Sequence, residues 1–316
     1  MTRRWGAASR LGGRVPGRLR RSPWAPSLGA VSPPGTIGHV SDTARWVALY
    51  RAIESERPDA LFRDPYARGL AGHRGEEFLR ALPNGRAWAW PMIVRTAVMD
   101  ELILAAVAGG VDTVLNLAAG LDARPYRLPL PAALSWVEVD FPDILAYKAA
   151  QLAPAQPHCR LQRIPADVTD HDARHRAFAD VAREARRALV VSEGLLIYLP
   201  AEEVAALAHA LHACTPFRSW LIDLASPRLL TMMERRWGPV LARANAPFRF
   251  APAAGTRFFE AMGWHEVEYR SIWEEAFRLN RTMRFGRLWR SLGRLAPSRL
   301  REEWRRLSGV VLLAHS

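Results

Sequence analysis

A single glycine, Gly120, marks the turn after the first predicted strand, where phosphate-binding loops usually carry three glycines. In the segment VDTVLNLAAGLDARPYRL, alanine stands at the first glycine position of that fingerprint and Asp122 at the last. A carboxylate there would repel a diphosphate, so the turn disfavours a nicotinamide or flavin dinucleotide. It is compatible with a nucleoside-like ligand that has no phosphates and carries a positive charge.

Asp140 lies twenty residues after Gly120, at the end of the second predicted strand, SWVEVD. At this spacing, an acid at the tip of the second strand accepts hydrogen bonds from both hydroxyls of a ribose. The pair therefore indicates a nucleoside site. Asp140 could also cap the helix that begins near Pro142, and the two roles are compatible.

Short apolar segments alternate with helical segments from Val111 onward, which is typical of βαβ units and a parallel sheet. Five strands are predicted there, at 113–117, 134–139, 161–164, 188–192 and 219–224. Two more, WHEVEYRS and GVVLLAH, follow a helix predicted at 256–262. The pattern predicts an α/β fold with a doubly wound, seven-stranded, mostly parallel sheet.

The chain is predicted to have three parts. Residues 1–38 are basic, have no apolar run long enough for a secretory signal and are expected to be disordered; a transit peptide or a misplaced start codon would have the same composition. Residues 39–110 contain three helical patterns and are expected to form an N-terminal helical cap. Residues 111–316 are expected to form the ligand-binding core, with a less regular lid insertion near 226–254.

A net charge of +13 over 316 residues is compatible with nucleic-acid binding, but its distribution argues against it. Seven arginines lie in the first 21 residues and Lys148 is the only lysine, which indicates a biased composition. Cys159 and Cys214 belong to no Cys/His cluster, so neither a metal site nor a disulfide is predicted and a cytoplasmic location is expected. No window is apolar enough to span a membrane.

Six segments, in this order and spacing, resemble the leucine carboxyl methyltransferase-type family of class I S-adenosylmethionine-dependent methyltransferases, which includes polyketide O-methyltransferases. They are SDTARWVALYRAIESERPDALFRDPYA, VRT with Asp100, LNLAAGLDARPYRL, VEVDFPDILAYK, ADVTD and VVSEGLLIYLP. The resemblance covers roughly 41–316, and AGLDARPYRL and EVDFP are more specific than a glycine motif. It implies a Rossmann-like core, S-adenosyl-L-methionine as cofactor, and methyl transfer to a carboxylate or hydroxyl oxygen of a small molecule or, second to that, a protein.

The resemblance also implies roles for individual residues of this chain. Arg95 would pair with the methionyl carboxylate through its planar guanidinium. Gly120 would let the backbone approach the methionyl part, and Asp140 would hold the ribose. Arg95 could instead be a surface arginine on its helix.

The adenine is implied to lie at Asp167 and Val168, with the Asp167 carboxylate accepting the exocyclic amine. Glu193 would border the methionyl group and the site of methyl transfer. This acid directly follows an apolar strand, where an unpaired buried carboxylate would be costly, which strengthens its functional interpretation. Glu193 and Tyr198 are the catalytic candidates, and the sequence assigns a definite catalytic role to neither.

A carboxylate acceptor would need no general base, whereas a phenol or alcohol would be helped by one. His39, His265 and Tyr198 are the candidates, and each is expected to be structural. The acceptor pocket is expected between the helical cap and the lid, whose aromatic and arginine residues suit an anionic or aromatic small molecule. They equally suit an ordinary amphipathic cover.

Three other functions are alternatives. A nucleic-acid-associated or non-catalytic protein would use the basic tail and the segment RFGRLWRSLGRL. A Rossmann NAD(P) oxidoreductase would have to bind its cofactor despite Asp122. The same arginine-rich segment could rest on an anionic membrane surface. We rank all three below a methyltransferase with a small-molecule acceptor, no nucleic-acid partner and no membrane insertion.

Overall fold

The computed structural model describes residues 41–243, 247–283, 286–293 and 296–315. The tail predicted over 1–38 and the candidate base His39 lie outside these residues. The described strands form one sheet and are β1 (Thr113–Leu117), β2 (Ser135–Asp140), β3 (Arg160–Pro165), β4 (Ala188–Ser192), β5 (Phe217–Ala225), β6 (Trp264–Ser271) and β7 (Ser308–His315).

The sheet has the strand order β3-β2-β1-β4-β5-β7-β6. The strands from β3 to β5 pair in parallel, whereas β7 is antiparallel to both of its neighbours, β5 and β6. Since the chain runs outward from β1 on one side and from β4 on the other, the topological switch point lies between these two strands. The predicted α/β class and the seven-stranded, mostly parallel sheet are confirmed.

The central strands β1 and β4 are buried along their whole length. Both are largely aliphatic, as expected where helices cover the two faces of a parallel sheet. Their pairing sets Val114 beside Leu189 and Leu115 beside Val190. The turns that follow these strands therefore start from fixed positions at one edge of the sheet.

Helices surround the sheet and precede it in the chain. Those described are α1 (Ser41–Ser55), α2 (Ala67–Ala81), α3 (Ala89–Ala108), α4 (Arg124–Arg127), α5 (Pro142–Gln151), α6 (His171–Glu184), α7 (Ala201–His212), α8 (Pro227–Arg243), α9 (Ile272–Arg278), α10 (Gly286–Gly293) and α11 (Ser298–Arg305). Short 3-10 helices occur at Gly85–Trp88, Leu196–Tyr198 and Gly255–Met262.

After β5, the helices differ from the prediction in two places. The segment 226–254, predicted to be less regular, contains the 17-residue helix α8. Gly238 and Pro239 lie inside this helix, and because both residue types usually interrupt helices they concealed its periodicity. The helix predicted at 256–262 is a 3-10 helix rather than an α-helix.

The helices before β1 contact both the sheet and α8. Val94 and Val98 of α3 belong to one apolar core with Val114 of β1. Residues of α1 and α2 share a second apolar cluster with Trp237 of α8 and Leu121 of the turn after β1. Helices α1, α2 and α8 therefore pack together beside the turn that follows β1.

No helix within the described ranges is both long and apolar enough to cross a lipid bilayer. In the same part of the chain, no group of three or more His, Cys, Asp or Glu residues is placed to hold a metal ion. Cys159 and Cys214 are both free thiols.

Candidate functional site

A cavity of about 570 Å³ opens at the carboxyl ends of the parallel strands. Gly120, Asp140 and Glu193, which lie at or just after the ends of β1, β2 and β4, form part of its lining. Trp46 of α1 and Trp237 of α8 also line it. Ligands of open parallel sheets bind at this edge, and the volume is usual for a small-molecule site.

The turn after β1 is held by the side chain of Asp140. Asp140 Oδ2 accepts a hydrogen bond from the Gly120 N–H at 2.6 Å, and Oδ1 accepts one from the Phe141 N–H at 2.7 Å. Both Ala118 and Gly120 have left-handed φ values, 50° and 48°. A positive φ is strained for alanine, and such strain is often found in ligand-binding loops.

Gly120 and Asp140, which the sequence assigns to one nucleoside site, are thus in direct contact. The alternative role of Asp140, as a cap of α5, is not seen in its usual form. Phe141 is the N-cap residue and makes no side-chain cap bond, and Asp140 bonds the N–H of Phe141 rather than one inside the first turn. Asp140 is therefore a residue of the turn and of the cavity wall.

Burial raises the pKa of Asp140 to about 6, although two backbone N–H groups favour its charged form. The folded state therefore binds this proton more tightly than the unfolded chain. The contribution of Asp140 to stability is fully present below the ordinary pKa of 3.8 and is lost as the pH rises through about 6. At neutral pH the carboxylate is ionised at a free-energy cost, which further hydrogen-bond donors would offset.

Asp167 and the adjacent Val168 line the same cavity. Its Oδ1 accepts hydrogen bonds from the N–H and the hydroxyl of Thr169, at 2.8 Å and 2.7 Å. Its Oδ2 is buried and has no partner among the described residues. A buried acceptor without a donor is uncommon in folded proteins, so Asp167 Oδ2 is a candidate to bind a ligand N–H or O–H group.

Arg124 lies beneath the cavity with a side chain that is 1% exposed. Its Nε donates to Asp100 at 2.6 Å, and its Nη1 donates to Asp122 at 2.8 Å and to Glu193 at 2.7 Å. Burial alone would raise the pKa of Glu193, but Arg124 and Arg95 reverse the effect and bring it to about 2. Glu193 is therefore an anion at neutral pH.

Arg95 is buried on α3, so the interpretation of this residue as a surface arginine is wrong. Its Nε donates to Glu193 at 3.0 Å and its Nη1 to Asp223 at 2.9 Å. Asp223, near the end of β5, also accepts a hydrogen bond from the Gly194 N–H at 2.6 Å. Gly194 has a left-handed φ of 66°, and a Cβ at this residue would lie 3.4 Å from Arg95 Nη1. Arg95 is thus held by carboxylates at the ends of β4 and β5.

The arginines and carboxylates beneath the cavity form one connected set, which we call the arginine–carboxylate cluster. It joins four arginines to five carboxylates: Arg51, Arg95, Arg124 and Arg127, with Asp64, Asp100, Asp122, Glu193 and Asp223. With every group ionised, the cluster has an excess of one negative charge. Asp140 and Asp167 form no ion pair with a described residue and, when ionised, add two further negative charges. The site therefore favours a cation.

The Asp122 carboxylate is already hydrogen-bonded within the arginine–carboxylate cluster. Its carboxylate accepts hydrogen bonds from Asn116 Nδ2 and from the backbone N–H and Nη1 of Arg124. Despite burial, Arg124 holds the pKa of Asp122 far below its usual range. Because this charge is compensated at 2.8 Å, the sequence-based argument that Asp122 alone would repel a diphosphate is not supported.

Tyr198 is the only one of the three candidate bases to line the cavity among the described residues. Burial raises the pKa of its hydroxyl, so the phenol is protonated at neutral pH. His265 lies on β6 with an exposed side chain, away from the cavity lining, and His39 is not described. No histidine described here lines the cavity.

The family model for leucine carboxyl methyltransferase matches residues 44–212, which are 169 of the 316 residues. This chain belongs to the leucine carboxyl methyltransferase family. The resemblance of its motifs to that family is therefore confirmed.

Bacterial relatives of this family member are named as S-adenosyl-L-methionine-dependent methyltransferases. One from Parafrankia sp. is 40% identical over 179 residues, covering 54% of this chain and 57% of the relative. One from Mycolicibacterium gilvum is 40% identical over 186 residues, covering 53% and 60%. The chain thus spans less than two thirds of the length of these relatives.

Two crystal structures share the fold of this family member. A DUF574 family protein from Streptomyces avermitilis has a TM-score of 0.56 and 15% identity, covering 87% of this chain and 97% of that one. A Thermobifida fusca protein described as a methyltransferase has a TM-score of 0.53 and 16% identity, covering 91% and 100%. At these identities the likeness establishes the class I methyltransferase fold and nothing about the ligand.

The fold of this family member brings every expected site residue within the described part of the chain into the cavity lining. They are Arg95, Gly120, Asp140, Asp167, Val168, Glu193 and Tyr198. Arg124 and Asp223 were not predicted. A signal for Arg124 was available, because a carboxylate directly after the apolar strand β4 needs a buried cation as partner.

Proposed function

We propose that this protein is a methyltransferase that uses S-adenosyl-L-methionine and methylates an oxygen atom of a small-molecule acceptor. The observation that carries the proposal is that Asp167, whose buried Oδ2 has no partner among the described residues, lines one cavity with Gly120 and Asp140, which contact each other. These groups suit the amine of adenine and the hydroxyls of ribose. The names of the bacterial relatives support the same cofactor.

The charge of the cavity supports a sulfonium nucleoside rather than a phosphate-bearing one. S-adenosylmethionine has one net positive charge, from its sulfonium, ammonium and carboxylate groups. The arginine–carboxylate cluster with Asp140 and Asp167 has three more carboxylates than arginines. A cationic ligand is therefore attracted to this edge, whereas a dinucleotide diphosphate is disfavoured by the whole site rather than by Asp122 alone.

The family resemblance gives each side chain a role that its contacts allow. Asp140 would hold the ribose, and Asp167 would accept from the adenine amine beside Val168. Arg95 has N–H donors beyond its bonds to Glu193 and Asp223, because a guanidinium has five, and these would hold the methionyl carboxylate. Glu193, by fixing Arg95, orients this end of the cofactor.

The bound cofactor would supply an electrophilic methyl group on a positively charged sulfur. The protein then has to orient the acceptor oxygen in line with that bond and to exclude water. Glu193 is a poor general base because its pKa is about 2. The protonated phenol of Tyr198 is suited to donate a hydrogen bond to the acceptor.

Calorimetric titration with S-adenosylmethionine, S-adenosylhomocysteine and NADH tests this function. We expect both adenosyl ligands to bind and NADH not to bind. Asp167→Asn keeps an acceptor for Thr169 but can place a donor where Oδ2 was, so we expect it to weaken adenosyl binding by about tenfold. The control is Asp172→Asn, the same change at an exposed residue of α6.

The proposed function is rejected if the folded protein binds neither adenosyl ligand. NADH binding instead would favour an oxidoreductase. If Asp167→Asn and Asp172→Asn weaken adenosyl binding equally, Asp167 does not bind the adenine. A loss that is confined to Asp167→Asn would support the assigned site.

The affinity for S-adenosylhomocysteine is expected to fall as the pH is lowered through about 6. The pKa of Asp140 is raised to about 6, and its ionised form is the better acceptor for ribose hydroxyls. Between pH 7.5 and 5 the ionised fraction falls to about one tenth, which weakens binding by up to about tenfold. Titrations between pH 7.5 and 5 should show that the affinity for S-adenosylhomocysteine declines in the native protein. In Asp140→Asn the affinity should not change with pH over this range. A decline of equal size in both would assign it to another group.

A further inference from the structure

Arg174 of α6 is a buried arginine whose ion pairing is weak. Its side chain is 3% exposed, and the ion pair that it forms, from Nη1 to Glu203 of α7, spans 3.9 Å. Its Nε is buried and has no hydrogen-bond partner among the described residues. Burial lowers the pKa of its guanidinium, although the carboxylates of Glu203, Asp167 and Asp170 oppose this effect. Because a buried charge with distant partners costs stability, ion pairing alone does not explain an arginine at this position.

The Arg174 side chain donates a hydrogen bond to the turn that follows β3. Its Nη1 lies 2.9 Å from the carbonyl oxygen of Val168, and this contact is buried. Residues 166–169, which we call the β3 turn, all line the cavity, whereas Arg174 is outside the cavity lining. Any effect of Arg174 on a ligand in the cavity therefore passes through the β3 turn.

A single peptide group connects Arg174 to the Asp167 carboxylate. The carbonyl that Arg174 holds belongs to the peptide between Val168 and Thr169. The N–H of the same peptide donates to Asp167 Oδ1 at 2.8 Å. Because a trans peptide is planar, with its C=O and N–H pointing in opposite directions, a fixed carbonyl also fixes the direction of the N–H. Arg174 is thus two hydrogen bonds away from the carboxylate that the proposed function assigns to the adenine.

We propose that Arg174 is a positioning residue for the adenine of the cofactor. It holds the peptide between Val168 and Thr169, and this peptide holds the Asp167 carboxylate where it accepts from the exocyclic amine. Since Arg174 is outside the cavity lining, it is not a catalytic residue. This role rests on the proposed function and deepens it, because it gives α6 a part in selecting the base.

A matched pair of ligands measures how well the site recognises the amine. The pair is S-adenosylhomocysteine and its analogue in which a hydrogen atom replaces the exocyclic amine, each titrated into the full chain by calorimetry at pH 7.5. The native protein is expected to prefer S-adenosylhomocysteine by about 30-fold, because a hydrogen bond to a charged acceptor is lost with the analogue.

Arg174→Met removes the donor and the charge but keeps a side chain of similar length. We expect the preference for the amine to fall to about threefold, whereas the affinity for the analogue should change by less than about threefold. A merely structural role would lower the affinities for both ligands alike and leave their ratio unchanged. Circular dichroism establishes that the variant is folded. Arg174→Gln, which is shorter and uncharged, replaces it if the methionine variant does not fold, and the same fall is expected.

Two further variants serve as controls. Arg183→Met makes the same change on α6 at a side chain that is 74% exposed, and it should keep the native preference. Arg174→Lys keeps a cationic donor and is expected to retain a preference of at least about tenfold.

The role of Arg174 is overturned if the folded Arg174→Met variant keeps the native preference, or if Arg174→Lys loses it as fully as Arg174→Met. Equal binding of the two ligands by the native protein would also overturn it, because Asp167 would then not recognise the amine. Failure of the native protein to bind S-adenosylhomocysteine would instead overturn the proposed function, so the two failures are distinguishable.

Discussion

Replacement of Arg124 by methionine is expected to lower the free energy of unfolding by about 3–5 kcal/mol. The Arg124 side chain is 1% exposed and donates hydrogen bonds to Asp100, Asp122 and Glu193. Methionine has a similar length but no charge, so three carboxylates would remain in the interior with fewer cations. Removing one partner of a buried ion pair is costly because the other partner loses both solvent and its counter-charge.

Urea denaturation of the native protein and of Arg124→Met measures the difference. Arg186→Met is a matched control, because Arg186 pairs with Asp112 at 3.2 Å but its side chain is 91% exposed. An exposed pair contributes about 0–1 kcal/mol, so the control should stay within that range. If Arg124→Met is no less stable than Arg186→Met, the cluster does not depend on Arg124 for its charge balance.

Replacement of Asp140 by alanine is expected to weaken binding of S-adenosylhomocysteine by on the order of 100-fold. Hydrogen bonds to a charged acceptor contribute roughly 1.5–3 kcal/mol each, and about 2.7 kcal/mol corresponds to 100-fold. The variant would lose the acceptor for the ribose hydroxyls. It would also lose the acceptor of the Gly120 N–H, which holds the turn in its left-handed conformation.

Isothermal titration calorimetry measures this loss, with thermal denaturation to establish that the variant is folded. Asp143→Ala is the matched control, since Asp143 is exposed in the first turn of α5, three residues away. The control is expected to bind like the native protein. A folded Asp140→Ala variant with less than about fivefold weaker binding would show that Asp140 is not the ribose ligand.

Much of the fold could be predicted because the central strands are short and buried on both faces. The predicted strands 113–117 and 188–192 coincide with β1 and β4, which are short, buried and largely aliphatic segments. The spacing of twenty residues placed Gly120 and Asp140 at the ends of two adjacent parallel strands, but the direct hydrogen bond between them was not predicted.

Helix α8 was hidden because Gly238 and Pro239 lie within it. Such residues lower the intrinsic helix propensity, whereas packing of Trp237 against two other tryptophan rings favours the helix. The packing partners, Trp46 and Trp88, lie far from α8 in the sequence. The sequence pattern over a short window therefore cannot indicate the stabilisation that this packing gives to α8.

The arginine–carboxylate cluster could not be derived from the sequence for a related reason. Arg124 meets Glu193 across 69 residues, and Arg95 meets Asp223 across 128 residues. Nothing in the local pattern around Asp223 distinguishes it from an ordinary acid on a strand. The need of Glu193 for a buried cation was visible, but the identity of that cation depends on the tertiary fold.

The position of β7 between β5 and β6 has a consequence for the order in which the nascent chain can fold. As the polypeptide leaves the ribosome, the five parallel strands can assemble in sequence, but β6 emerges before the strand to which it must pair. Until β7 is synthesised, β5 has an unpaired edge and β6 has no place in the sheet. Exposed edges of this kind promote association between chains, so the interval between the synthesis of β6 and β7 is when chaperones would be most useful.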